Sequence, residues 1–155
     1  MIGGGNSALE TIIDLAKLGC KVYSIHRGAG WRADSVLIER AARMANVKPF
    51  FGWVVDEIKG NSKVSGLSLR RREGGEREEL SVEGVFVEIG LIPNSEFVKD
   101  VVALNDVGEV MVNCACETNV PGVFAAGDVT SVPEKQIVVA AGEGAKAALT
   151  AHKFL

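Results

Sequence analysis

Between residues 6 and 18 the apolar side chains return at helical spacing. Ala8, Leu9, Ile12, Ile13, Leu15 and Ala16 form one broad face, and Glu10, Asp14 and Lys17 lie opposite. That pattern predicts a helix packed along one side, and Gly19 supplies a C-terminal stop. A short apolar run at 21–25 predicts a strand, and Gly28-Ala29-Gly30 a loop. Asp34 is a suitable N-cap for a second helix reaching about residue 45, and 47–51 reads as the next strand. Alternating strands and helices of this kind make half of a doubly wound parallel sheet.

The periodicity then changes. Short segments at 54–59, 63–71 and 78–82 are separated by Gly60-Asn61 and Gly74-Gly75, which are hairpin signals. An antiparallel meander inserted in the parallel fold is expected. Residues 85–89 predict a further buried strand, 95–101 a short helix and 109–113 another strand. Residues 123–126 read as a small strand leading into Gly127-Asp128-Val129, and 136–154 as a long alanine-rich helix.

The bulk properties narrow the class of protein. At 155 residues the chain suffices for one ordinary domain, and its hydrophobic fraction of 47% suits a packed body rather than a disordered one. The net charge of −3 gives no electrostatic reason to expect nucleic acid or an anionic membrane. The most basic cluster, Arg70-Arg71-Arg72, runs at once into Glu73, Glu76, Glu78 and Glu79 and reads as a solvated hairpin tip. No apolar run nears the roughly 18 residues of a membrane span, and no signal segment opens the chain, so a cytoplasmic location is expected. Three cysteines fit neither a disulfide framework nor a four-ligand zinc site. Cys114-Ala-Cys116 has one residue between its cysteines, where a dithiol redox motif has two, and Cys20 is expected to be a small buried residue. No metal site and no catalytic nucleophile or acid–base residue is expected.

The candidate chemistry starts at residue 3. Gly3, Gly4, Gly5, Asn6, Ser7 and Ala8 read as G-x-G-x-x-A ahead of the first helix, the turn that cradles a dinucleotide pyrophosphate. Gly3 permits the tight turn, Gly5 lets the phosphates approach the backbone, and Ala8 lets the helix sit close to the strand. Free amides and the helix dipole then face the anion. Only Met1 and Ile2 precede the loop, so the expectation is a chain that starts inside a nucleotide-binding unit with most of its first strand missing. A central strand lost in this way leaves open edges, which residues 123–126 or a second copy of the chain are expected to cover. At the end of the next strand, His26, Arg27 and Arg32 stand where an enzyme preferring the 2'-hydroxyl carries an acidic residue. Guanidinium groups match phosphate oxygens, so NADPH is the first expectation and NADH the alternative. Trp31 reads as a loop anchor rather than a nucleotide platform.

Taken in order, Gly-Gly-Gly-Asn-Ser-Ala at 3–8, His26-Arg27 with Arg32-Ala33, Ile89-Gly90 before Pro93-Asn94, and the run at 120–129 containing Ala126-Gly127-Asp128 resemble the low-molecular-weight thioredoxin reductases. These belong to the FAD-dependent pyridine nucleotide–disulfide oxidoreductases. The resemblance continues through Gln136-Ile137 and the stretch at 141–148, and covers essentially the whole chain. It implies a Rossmann-like α/β fold, a doubly wound parallel sheet with the inserted meander making a three-layer ββα arrangement. Residues 1–105 would form the NAD(P)H-binding domain and 106–155 the C-terminal segment of an FAD-binding domain. Asp128, after Gly127, would bond the ribityl chain of FAD. Lys135, Gln136 and Ile137 would lie at a helix start beside the flavin, and Gly142 and Gly144 would let that helix pack closely. The implied activity is hydride transfer from NAD(P)H to FAD and electron transfer to a disulfide, with a thioredoxin-like or other disulfide protein as partner and a homodimer as the assembly.

The chain departs from the family pattern in three ways. The family's N-terminal FAD-binding loop and its Cys-x-x-Cys are absent, so the isolated chain is expected to be inactive. Gly28 stands where many members carry a second arginine. Lys135 replaces an arginine. Two other readings remain open: a ferredoxin–NADP reductase-type flavoprotein without a redox cysteine pair, and a non-catalytic nucleotide-binding module.

Overall fold

A computed structural model describes all residues from Met1 to Leu155. The chain packs as two compact units, Met1–Gly90 and Leu91–Leu155. The change of role expected at residue 105 falls inside the second of them.

The first unit is a three-layer α/β structure. Strands β1 (Ile2–Gly3), β2 (Val22–His26), β3 (Val47–Phe51) and a later two-residue strand, β7 (Val87–Glu88), form a parallel sheet in the order β3-β2-β1-β7. Helices α1 (Asn6–Lys17) and α2 (Ser35–Ala42) join the first three strands. The inserted meander is present: β4 (Trp53–Gly60), β5 (Val64–Arg71) and β6 (Arg77–Ser81) make an antiparallel sheet in sequence order.

Strand alternation explains the layering, because successive residues face opposite sides of a sheet. Val22 in β2 joins Ala8, Leu9, Ile12, Ile13 and Ala16 of α1 in one buried cluster, with Leu37 and Ile38 of α2 against it. Ile25 faces the other way and joins Phe50, Leu67, Leu69 and Leu80, so the meander covers the second face. Arg70 and Arg71 pair with Asp56 and Glu76 near the β5–β6 turn, as a solvated tip should.

Several boundaries differ from the sequence reading. Of residues 85–89 only Val87 and Glu88 pair, because β1, their partner, is itself two residues long. Both sides of β1 are taken within this unit, by β2 and β7. The expectation that residues 123–126 or a second copy would cover its edge is therefore overturned. Cys20 is exposed, not buried: it lies beyond the end of α1, where its carbonyl accepts a bond from Asn46 Nδ2 at 2.8 Å.

The second unit holds one long helix, α3 (Ile137–Phe154), and a single 3₁₀ turn at Glu96–Val98 in place of the short helix expected over 95–101. Residues 109–113 do not form a strand. Val110 makes isolated bridges to Leu104 and Thr130, and Phe124 bridges Glu117. The amides of this segment go to separate places: Val110 donates to the Val129 carbonyl, Met111 to Ala103 and Asn113 to Glu117. Two go to side chains: the Glu109 amide to Asn105 Oδ1 at 2.8 Å and the Val112 amide to Ser131 Oγ at 3.4 Å. Such local bonds compete with ladder formation. Gly142 and Gly144 face open space, and the close approaches to α3 are instead at Gly122, where a Cβ would lie 3.1 Å from the Phe154 ring, and at Gly127, where it would lie 3.3 Å from the Ala140 Cβ. No helix is long and apolar enough to cross a membrane.

Candidate nucleotide-binding site

The three loop glycines have three different surroundings. Gly3 has φ +143°, and a Cβ there would come within 2.1 Å of the Glu88 carbonyl oxygen and 3.1 Å of the Ala8 Cβ. It is required by the approach of β7 and α1. At Gly4 a Cβ would lie 2.6 Å from His26 Nδ1, so the imidazole rests against the loop backbone. Gly5 is the N-cap of α1, in extended conformation with φ −89°, and a Cβ there would meet nothing within 4 Å. The loop therefore presents bare backbone to open space at the helix N-terminus, where the first amides of a helix lack intrahelical acceptors. Ser7 is exposed and Ala8 buried.

The structure brings the strand-end residues to this loop. The Arg32 amide donates to the Gly4 carbonyl at 2.7 Å. Arg27 and Arg32 are exposed, and neither belongs to any of the chain's ion pairs. His26 lies between Gly4 and Gly28: a Cβ on Gly28 would stand 2.9 Å from its Nε2. That nitrogen is enclosed without a hydrogen-bond partner. Burial pushes the His26 imidazole below its ordinary value, and the charges of Arg32 and Arg27 push it the same way. Trp31 is an anchor, as the sequence suggested. Its Nε1 donates to Ser24 Oγ at 2.8 Å, and its ring meets Phe51 edge-on at 5.2 Å.

Ile89 and Gly90 follow β7 at the end of the first unit. Both are exposed, and Gly90 has φ +111°. Just before them, Glu88 Oε1 accepts from Thr11 Oγ1 at 2.7 Å, while its Oε2 is enclosed and unpartnered.

In the second unit Gly127, with φ +81°, is held by a carboxylate that the sequence reading passed over. Its amide donates to Glu143 Oε2 at 3.1 Å, and Glu143 is buried. The available signal was a lone acidic residue among the small residues of α3. Thr130, fully buried, donates through Oγ1 to the Gly127 carbonyl at 2.8 Å. Asp128 is exposed. Lys135 is committed within the protein: Nζ pairs with Glu109 at 2.8 Å and donates to the Thr130 carbonyl. The hydrogen bonds from Lys135 and Asn105 hold the Glu109 carboxyl below the usual carboxylate range. Gln136 is the N-cap of α3, and Ile137 beside it is 91% exposed.

A parallel sheet in this order, with a glycine turn opening the first helix, is the architecture of Rossmann-like dinucleotide-binding proteins. Comparison with known proteins narrows the class. The sequence model of one family, described as pyridine nucleotide-disulphide oxidoreductase, matches residues 1–144, and the chain belongs to that family, whose members use FAD and NAD(P)H. Its relatives include the alkyl hydroperoxide reductase F subunit of Pseudomonas putida, 46% identical over 156 residues, a match covering 100% of this chain and 30% of the relative. The Escherichia coli K12 protein of the same name is 44% identical with the same coverage. Among solved structures, thioredoxin reductase of Lactococcus lactis superposes with a TM-score of 0.82 at 36% identity, covering 99% of this chain and 51% of that one. The thioredoxin reductase of T. acidophilum gives 0.79 at 35% identity, covering 98% and 50%. The chain thus spans under a third of the curated relatives' length and about half of the solved chains.

Proposed function

We propose that residues 1–105 bind a pyridine dinucleotide, with NADPH preferred, and that residues 106–155 contribute the C-terminal part of an FAD site. The contrast among the three glycines carries the reading. Gly3 and Gly4 are bare because neighbouring groups crowd them, whereas Gly5 has no crowding neighbour. A side chain there is excluded by nothing inside the protein, which suits a position kept open for a ligand. The amides at the start of α1 would hold the pyrophosphate, and Arg27 and Arg32 the 2'-phosphate.

The residues of the second unit fit an FAD contact of the kind the family resemblance implies. Asp128 would accept from a ribityl hydroxyl. The α3 start at Gln136 and Ile137 would face the flavin, where the positive end of the helix dipole favours negative charge. Lys135, engaged with Glu109, would hold that turn in place. Bound NADPH and FAD would supply the hydride donor and acceptor; the protein supplies position and electrostatics. In the working protein, electrons would pass to a disulfide of a partner protein, and a homodimer is the proposed assembly. The chain alone would not turn over a disulfide.

A second reading concerns the acceptor. The curated relatives named above are alkyl hydroperoxide reductase proteins at 44–46% identity over the whole of this chain. They supply the second reading, a disulfide partner serving hydroperoxide reduction in place of thioredoxin. Calorimetric titration of the chain with NADPH, NADH and FAD tests the proposal. NADPH binding tighter than NADH is expected, and a chain that binds no nucleotide would overturn it.

A further inference from the structure

Both ends of the Asn6 side chain are engaged by Asp34. Its Nδ2 donates to Asp34 Oδ2 at 3.1 Å, and its Oδ1 accepts from the Asp34 amide at 2.8 Å. Asn6 is the first residue of α1, and Asp34 is the N-cap of α2. The pair therefore ties the helix that begins at the glycine loop to the segment that carries Arg32. Two further bonds hold the same segment: the Arg32 amide on the Gly4 carbonyl and the Trp31 indole on Ser24. Residues 31, 32 and 34 are each fastened, while the Arg32 guanidinium is left exposed and unpaired.

We propose that Asn6 and Asp34 are positioning residues for coenzyme choice, holding the Arg32 segment at a fixed distance from the pyrophosphate loop so that a 2'-phosphate is received. The inference rests on the nucleotide reading above and adds two residues that act through Arg32. A long arginine side chain gives up rotamer freedom when it grips a phosphate. Fixing its backbone beforehand lowers that cost. NADH lacks the 2'-phosphate and is indifferent to where Arg32 stands. The pair should therefore bear on the difference between the coenzymes and leave their common part alone.

The test is the dissociation constant of the chain for NADPH and for NADH, in the wild type and in Asn6→Ala, Asp34→Ala and Asp34→Asn. Losing the tie in Asn6→Ala should lower the preference for NADPH over NADH about five- to tenfold, in line with the loss of one to two ordinary hydrogen bonds. Asp34→Ala should act the same way through the lost carboxylate, with NADH binding as the check that each variant is folded. Asp34→Asn keeps an acceptor oxygen for Asn6 and should restore most of the preference. Equal loss for both coenzymes would place Asn6 on the shared part of the nucleotide and overturn the inference, as would an unchanged ratio in both alanine variants. A wild type that binds both coenzymes equally would overturn the inference and the NADPH preference, and leave the pyrophosphate site standing. A wild type that binds neither would overturn the nucleotide reading and the inference with it.

Discussion

The carbonyl oxygen of Glu88 stands 2.1 Å from where a Cβ on Gly3 would be, so β7 can lie beside β1 only because residue 3 has no side chain. Gly5, two residues on, meets nothing within 4 Å. The two glycines should therefore fail differently. Gly3→Ala, strained in φ and clashing with backbone, should destabilise the chain by about 3 kcal/mol or more. Gly5→Ala should leave stability within about 1 kcal/mol yet weaken NADPH binding, because its methyl would occupy the space proposed for the pyrophosphate. Urea denaturation of both variants, with a nucleotide titration of the second, checks the pair.

His26 should titrate below its ordinary value of about 6.5, because partial burial of the ring and the two neighbouring guanidinium groups disfavour its charged form. Above the unfolded value the ring is neutral in both states and pH has no effect through it. As pH falls below that value the unfolded chain takes up the proton first, so stability is lost there. An NMR titration of the His26 ring protons measures the midpoint. A phosphate held by Arg27 and Arg32 would offset their repulsion, so NADPH should move that midpoint upward. A midpoint above about 6.5 in the free chain would contradict the placement of His26 between Gly4 and Gly28.

Glu109 is held below the carboxylate range by Lys135 and Asn105. Its stabilising contribution is present above the ordinary carboxylate value and is lost as pH falls through the depressed one. Glu109→Gln should lower the thermal midpoint at neutral pH by a few degrees, with the gap to the wild type closing in strong acid. A gap that does not depend on pH would mean that the ion pair with Lys135 contributes nothing.

Much of the first unit was legible because its signals are local. The α1 face, the glycine turn and the hairpin glycines each announce themselves within a few residues, and 47–51 was bounded correctly as β3. What was not legible depends on partners distant in sequence. Residues 85–89 are apolar enough for five residues of strand, but β1 offers only two to pair with. Residues 109–113 look like a strand, but their amides go to the Asn105 and Ser131 side chains and to three separate backbone carbonyls. The packing of His26 between Gly4 and Gly28 has no sequence signature, since it depends on where two turns meet. The Asn6–Asp34 tie spans 28 residues, and each partner alone reads as an ordinary helix-terminal residue.

The most direct measurement is the change in backbone amide NMR signals of the chain when NADPH is added. Binding at the proposed place predicts saturable shifts concentrated at residues 4–8 and 27–32, with NADH reproducing the first group and much less of the second. Shifts confined to other residues, or none with NADPH at millimolar concentration, would contradict the assignment of that loop to a pyridine nucleotide.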